Sequence, residues 1–261
     1  MKKYLVIGNP IEHSLSPKLH NHWIKENNID AVYEKKKLSI SQIKDIINEV
    51  RSEKIKGINV TVPFKKEVLP FMDKLTKKAN LSQSVNTIYK EKDFIVGDNT
   101  DIDGFQLSLK HINYSPKNKK IFILGAGGVT PSIILALKNL GASRISLSNR
   151  TKSKADYLKK IHPDLNIIDW GKIDKFDMII NTTSLGLKNE DKIELDFSKI
   201  DSGKLFYDII YNPEKTNFLK KGKESGNHIA NGKMMFIYQA QLAFNIWHNI
   251  LPKVHDKLLS Q

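Results

Sequence analysis

KIFILGAGGVTPSIILALKNL, residues 120–140, is an apolar run, a cluster of three glycines at Gly125, Gly127 and Gly128, and then a second apolar run with helical spacing. A strand that turns through glycines straight into a helix is the opening of a dinucleotide-binding α/β unit. Glycine lets the backbone come close to a pyrophosphate. The unpaired amides and positive dipole end of the helix favour its charge. The third glycine of the GxGxxG pattern falls on Thr130, so the pattern is incomplete and a plain tight turn remains the competing reading.

Downstream of this turn, strand candidates Arg144–Ser148, Met178–Asn181 and Leu205–Asp208 alternate with helical stretches, as in a doubly wound parallel sheet. The second strand runs into Ser148-Asn149-Arg150-Thr151, where an NAD enzyme carries an acidic residue for the ribose hydroxyls. Here Asn149 and Arg150 offer donors instead, with Lys152 and Lys154 adding charge, which favours a 2′-phosphate and hence NADP.

Upstream, strand candidates Tyr4–Ile7, Ala31–Glu34, Gly57–Val62 and Phe94–Val96 alternate with amphipathic stretches. Ser16-Pro17 reads as an N-cap with proline at the first helical position, and Ile43, Ile46, Ile47 and Val50 recur at helical spacing. The polar stretch from Lys110 to Lys120 separates the halves. The expected organisation is residues 1–103 as an α/β substrate-binding domain and 104–233 as a Rossmann-like cofactor domain. Residues 234–261 form two helices, broken at Pro252, that pack back on the first domain and complete it.

Composition narrows the classes. Forty per cent hydrophobic residues fit an ordinary globular protein, and no apolar run approaches the roughly 20 residues of a membrane helix. The chain has no cysteine, which removes disulfides and thiolate chemistry and is compatible with the cytoplasm. The net charge of +14 invites a nucleic-acid reading, but of 42 Lys and Arg only Arg51, Arg144 and Arg150 are arginine, and the lysines are dispersed among 28 acidic residues. Solvated lysine is the better account. His13, His20 and His22 lack a convergent carboxylate pattern, so no metal is expected.

The N-terminal half also holds Ser14-Leu-Ser16-Pro17, Asn59-Val-Thr61-Val-Pro63-Phe-Lys65, Ser84-Val-Asn86-Thr87 and Gly97-Asp-Asn99-Thr100-Asp101. Any one of these could be a cap or turn. Read together and in order, with GAGG and NRT downstream and Gln239-Ala240 near the C-terminus, they resemble the shikimate dehydrogenase family over nearly the whole chain.

The resemblance implies NADPH-dependent reduction of 3-dehydroshikimate to shikimate, within chorismate and aromatic amino-acid biosynthesis. By the same resemblance, Ser14 and Ser16 bind the substrate carboxylate, Thr61, Asn86, Asp101 and Gln239 contact ring hydroxyls, and Tyr211 lines the pocket. Lys65 is the acid and base, held by Asp101. The cofactor lies along Gly125, Ala126, Gly127, Gly128 and Val129 and along Asn149, Arg150, Thr151 and Lys154, with its nicotinamide against the backbone of Ile209 and Gly232. The active site then lies in a cleft between the domains. Val129-Thr130-Pro131 and Gly232-Lys233-Met234 depart from the family's usual runs, removing a phosphate-side cation and a glycine. The nearest rival is a quinate/shikimate dehydrogenase using NAD. Monomer and homodimer both stay open.

Overall fold

The computed structural model describes residues 1–188, 190–254 and 258. The chain divides into two compact units, Met1–Gly104 together with the segment from Ile237 onward, and Phe105–Phe236.

The first unit contains β1 (Lys2–Gly8), α1 (Ser16–Glu26), β2 (Ala31–Lys37), α2 (Ile43–Arg51), β3 (Gly57–Val60), β4 (Lys74–Leu75), α3 (Lys77–Ser82), β5 (Thr87–Glu91), β6 (Phe94–Asp98) and the start of α4 (Asp101–His111). Its sheet runs in the order β2-β1-β3-β5-β6-β4, parallel through β2, β1 and β3 and antiparallel at β5. The isoleucine stripe of α2 is buried as its spacing requires, against Leu5, Ile7, Ile58 and Val60. The strand expected over Gly57–Val62 stops at Val60. There the chain turns, with Thr61 N donating to Ile7 O and Phe64 N to Thr61 O.

Ser16 is not the N-cap of α1. Leu15 holds that position without a side-chain cap, Ser16 lies inside the first turn, and its backbone N–H is taken by the Ser14 hydroxyl at 3.3 Å.

The second unit contains β7 (Lys120–Leu124), α5 (Thr130–Asn139), β8 (Arg144–Ser148), α6 (Lys152–Ile161), β9 (Asn166–Ile168), β10 (Met178–Asn181), β11 (Leu205–Asp208), α7 (Asn217–Glu224), β12 (His228–Ala230) and the first residues of α8 (Lys233–His248). All six strands are parallel, in the order β12-β11-β10-β7-β8-β9. This is the doubly wound order, and the direction of winding reverses between β7 and β10. Ligands of such sheets bind beyond the carboxyl ends of the strands at that reversal.

The rest of α8 returns to the first unit. Ile237, Ala240, Ala243 and Phe244 are fully buried, and Trp247 packs on Tyr4 with ring centroids 5.1 Å apart. His20 stacks on Tyr33 at 4.1 Å in the same aromatic cluster. Of the two C-terminal helices expected, Lys233–His248 is the one found among the described residues. Asn249, at φ 54°, ends it, and Leu251–Val254 is not helical. The remainder of the expected second helix lies outside the described residues apart from Leu258. Among the described residues no helix is long and apolar enough to cross a membrane.

Candidate active site

In the first unit the loop after β3 carries Lys65. Phe64 anchors it in the core, and Lys65 O accepts from Val85 N at 2.9 Å. The ammonium donates to Asp101 Oδ2 at 2.5 Å, and both side chains are buried. Burying an ion pair is costly unless further hydrogen bonds satisfy its members. Asp101 meets that condition in two ways. It opens α4, where the dipole favours an anion, and its other oxygen accepts from Asn86 Nδ2 at 2.9 Å.

Asn86 is oriented without ambiguity. Thr100 N donates to its Oδ1 at 2.7 Å, and a backbone N–H can only donate, so the amide nitrogen faces Asp101. That nitrogen also reaches Gln239 Oε1 at 3.4 Å. Gln239 comes this close because α4 meets α8 at Gly104, where an added Cβ would stand 2.8 Å from Gln239 N.

Lys65, Asp101, Asn86 and Gln239 are thus one connected group. Ser14 stands on the turn that follows β1, Ser16 opens α1, and Thr61 stands on the turn that follows β3. Ser16 is tied to the group indirectly. Its side chain lies beside the Tyr33 hydroxyl, which donates to Asn59 Oδ1 at 2.7 Å, while Asn59 Nδ2 donates to Asn86 O at 3.2 Å. Burial pushes the Tyr33 phenol well above its ordinary pKa. Tyr33, Asn59, Thr87 and Thr100 form this supporting layer and escape a reading of the sequence. Three of them lie inside the quoted motifs, but only the fold shows which of a motif's polar residues face each other.

In the second unit the glycine turn follows β7. Gly125 has φ 108°, and a Cβ there would lie 2.7 Å from Thr182 Oγ1. A Cβ on Gly127 would meet only Thr182 O, at 3.7 Å, so this side of the turn is open. Thr130, in the third-glycine place, is buried and bonds Gly125 O at 3.1 Å and Thr182 Oγ1 at 2.9 Å, bracing the turn from behind. The first turn of α5 has no acidic residue. An open glycine turn at an uncompensated helix N-terminus fits the pyrophosphate of a dinucleotide.

Asn149 is partly committed to this frame, accepting from Ala126 N at 3.0 Å and donating to Thr151 O at 2.8 Å. Its second amide hydrogen is left for a phosphate oxygen. Arg150, Thr151, Lys152 and Lys154 are exposed at the start of α6, whose first turn also lacks an acid. Val129 and Gly128 are half-buried along the turn. Beyond β11, Ile209 O lies where a Cβ on Gly232 would be 1.9 Å away, so only glycine permits this approach. Tyr211 stacks on Phe236 at 4.6 Å in the same unit.

Residues 6–88 match the shikimate dehydrogenase substrate binding domain. The shikimate dehydrogenase (NADP(+)) of Pelagibacter ubique is 58% identical over 259 residues, 99% of this chain and 98% of that protein. The crystal structure of shikimate dehydrogenase from Aquifex aeolicus superposes with a TM-score of 0.91 at 38% identity, covering 99% of this chain and 96% of that one. The Thermus thermophilus shikimate 5-dehydrogenase, solved in complex with NADP(H) and shikimate, gives a TM-score of 0.89 at 28% identity, covering 97% and 95%. With its two units built and its motifs standing at strand ends, the chain belongs to the shikimate dehydrogenase family.

Proposed function

We infer that this chain catalyses the reversible reduction of 3-dehydroshikimate to shikimate with NADPH, a cytoplasmic step of aromatic amino-acid biosynthesis. The observation that carries the reading is the buried Lys65–Asp101 pair at 2.5 Å, joined through Asn86 to Gln239. The first unit is the substrate domain and the second the cofactor domain. When bound, NADPH supplies the hydride.

Reduction of a ketone leaves negative charge on its oxygen, which needs a cation and then a proton. Lys65 provides both. An ammonium has three hydrogens and Asp101 takes one, leaving donors for the substrate. In the reverse direction neutral Lys65 receives the hydroxyl proton. Asp101 keeps the ammonium aimed and accepts from a ring hydroxyl, with Thr61 and Gln239 as further partners. Asn86 Nδ2 has two hydrogens and faces Thr100 Oγ1 and Asp101 Oδ1, each at 2.9 Å, as well as Gln239 Oε1 at 3.4 Å, so for it to serve a ring hydroxyl one of the two shorter bonds gives way. Ser14 donates to the carboxylate, Ser16 joins it by turning its hydroxyl away from Tyr33, and Tyr211 lines the pocket. Ser14 is suited to this, because its oxygen accepts from Ser16 N and its own proton is left to give.

On the cofactor, Gly125, Ala126, Gly127, Gly128 and Val129 hold the pyrophosphate. Arg150 leads Asn149, Thr151 and Lys154 at the 2′-phosphate, and the backbone at Ile209 and Gly232 holds the nicotinamide. The test offers shikimate or quinate with NADP or NAD in all four pairs while nicotinamide absorbance is followed. Shikimate with NADP is expected to give the highest kcat/KM, and quinate with NAD giving the highest would replace this reading by the quinate/shikimate alternative. Sedimentation distinguishes a monomer from a homodimer.

A further inference from the structure

Asp208 ends β11 with no exposed surface, and the chemistry above does not use it. Its Oδ1 accepts from Asn181 Nδ2 at 3.1 Å and from Ile210 N at 3.0 Å, and its Oδ2 accepts from Thr216 Oγ1 at 2.6 Å. All three partners are neutral donors. Holding a charge here is costly, and burial pushes the carboxyl up to about 6.

What the carboxylate fastens is specific. Asn181, at the end of β10, uses its oxygen for Thr183 N (3.0 Å) and the Thr183 hydroxyl (2.7 Å), and its nitrogen also bonds Leu185 O (3.0 Å). Ile209 N donates to Asn181 O at 3.1 Å, and Gly232 N to Ile210 O at 3.2 Å. Thr182, between these points, bonds Gly125 O at 3.1 Å. One buried carboxylate therefore ties together the loop after β10, the Ile209–Ile210 backbone and the first turn of α7, all beside the glycine turn.

We propose that Asp208 is a positioning residue for the nicotinamide end of the cofactor, fixing the Ile209 carbonyl and Gly232 through charge-assisted hydrogen bonds. This rests on the reading that Ile209 and Gly232 hold the nicotinamide. Asn181 and Thr216 act with it.

Asp208→Asn keeps the size but removes the charge behind all three bonds: its oxygen can stay with Asn181 and Ile210, while its amide nitrogen can only donate to Thr216 Oγ1, whose own proton loses its acceptor. In the full-length enzyme, NADPH affinity is measured by nucleotide fluorescence, alongside kcat, the KM for shikimate and thermal stability. The Kd for NADPH is expected to rise about tenfold, the scale of one hydrogen bond to a charged group, while the KM for shikimate stays within about twofold. If Asp208→Asn does not fold, Thr216→Val removes a single anchor and should weaken NADPH in the same direction by a smaller factor. A lower melting temperature with NADPH affinity unchanged, in whichever variant folds, overturns the proposal. Arg150→Asp is the control. If it weakens NADPH and Asp208→Asn does not, Asp208 loses its role and the cofactor reading stands; if the unaltered enzyme does not bind NADPH, both fall.

Discussion

In the proposed reaction Lys65 faces the largest chemical demand of any single residue, because its charge would be needed most as the alkoxide forms. Lys65→Ala should therefore lower kcat by about 10² to 10⁴ and change the KM for shikimate far less. Asp101→Asn should impair both parameters, since it loses the partner of Lys65 and a hydroxyl acceptor. Steady-state kinetics decide this, and near-normal turnover in Lys65→Ala would make the buried Lys65–Asp101 pair a structural one. At the other end of the chemistry, Arg150 is exposed at the start of α6. Arg150→Asp should raise the KM for NADP far more than that for NAD, by replacing attraction with repulsion at the 2′-phosphate. An equal loss with both cofactors would make Arg150 structural. That Lys65, Asp101 and Asn86 belong to one group was legible because motif order marks them, and their side chains do meet. Tyr33 and Thr87 were not, because a buried hydroxyl facing an amide leaves no periodic trace. Asn149 was legible as a polar residue at a strand end, but not as a brace whose oxygen is already occupied by Ala126 N.

The elements divide in the same way. β7, β8, β10 and β11 are buried over four or more residues and announce themselves as apolar runs. β4, β9 and β12 are two or three residues long, too short for any pattern, and β5 mixes Lys90 and Glu91 into a half-exposed strand. Ser16 misled because Ser-Pro is a frequent helix start, while here Ser16 is already inside the helix and its own N–H is taken by the Ser14 oxygen, two residues earlier. The glycine turn was legible, but its brace by Thr130 and Thr182 depends on a residue more than fifty positions away. Gly125→Ala combines a positive φ with a 2.7 Å approach to Thr182 Oγ1. It should cost about 1–3 kcal/mol of stability and weaken NADPH, which thermal melts and nucleotide titration would read. Unchanged melting and affinity would mean that the turn relaxes freely.

Across the whole molecule, buried histidines begin the response to acid, ahead of carboxylates that cations and backbone N–H groups hold low, Asp73 and Asp191 among them. Burial lowers His20 to about 3 and His162 and His248 to about 4, in each case with a smaller contribution from a neighbouring cation or histidine. The unfolded chain takes up these protons near the ordinary value of about 6.5, so the stability they secure is complete above that pH and falls as pH drops toward 4. Asp208 works the other way, its raised pKa returning some stability below about pH 6. Three histidines against one aspartate still leave a net loss, about 1.4 kcal/mol per pH unit for each unbalanced proton. Denaturant titrations at pH 7 and pH 4.5 should show it, and equal midpoints would contradict it. The path of the chain has a consequence for synthesis. Residues 105–236 form a continuous unit, whereas the first unit holds residues 1–104 and also needs Phe244 and Trp247 for its aromatic core. On the ribosome its leading segment must wait while the whole of the second unit is translated, on the order of ten seconds at about 5–20 residues per second. During that interval Tyr4, His20 and Trp23 lack the helix that covers them, making this stretch the one most in need of a chaperone. Nascent chains arrested after residue 236 should be cut by protease within 1–104 well before 105–236, and equal resistance of the two would show that the leading segment closes without its last helix.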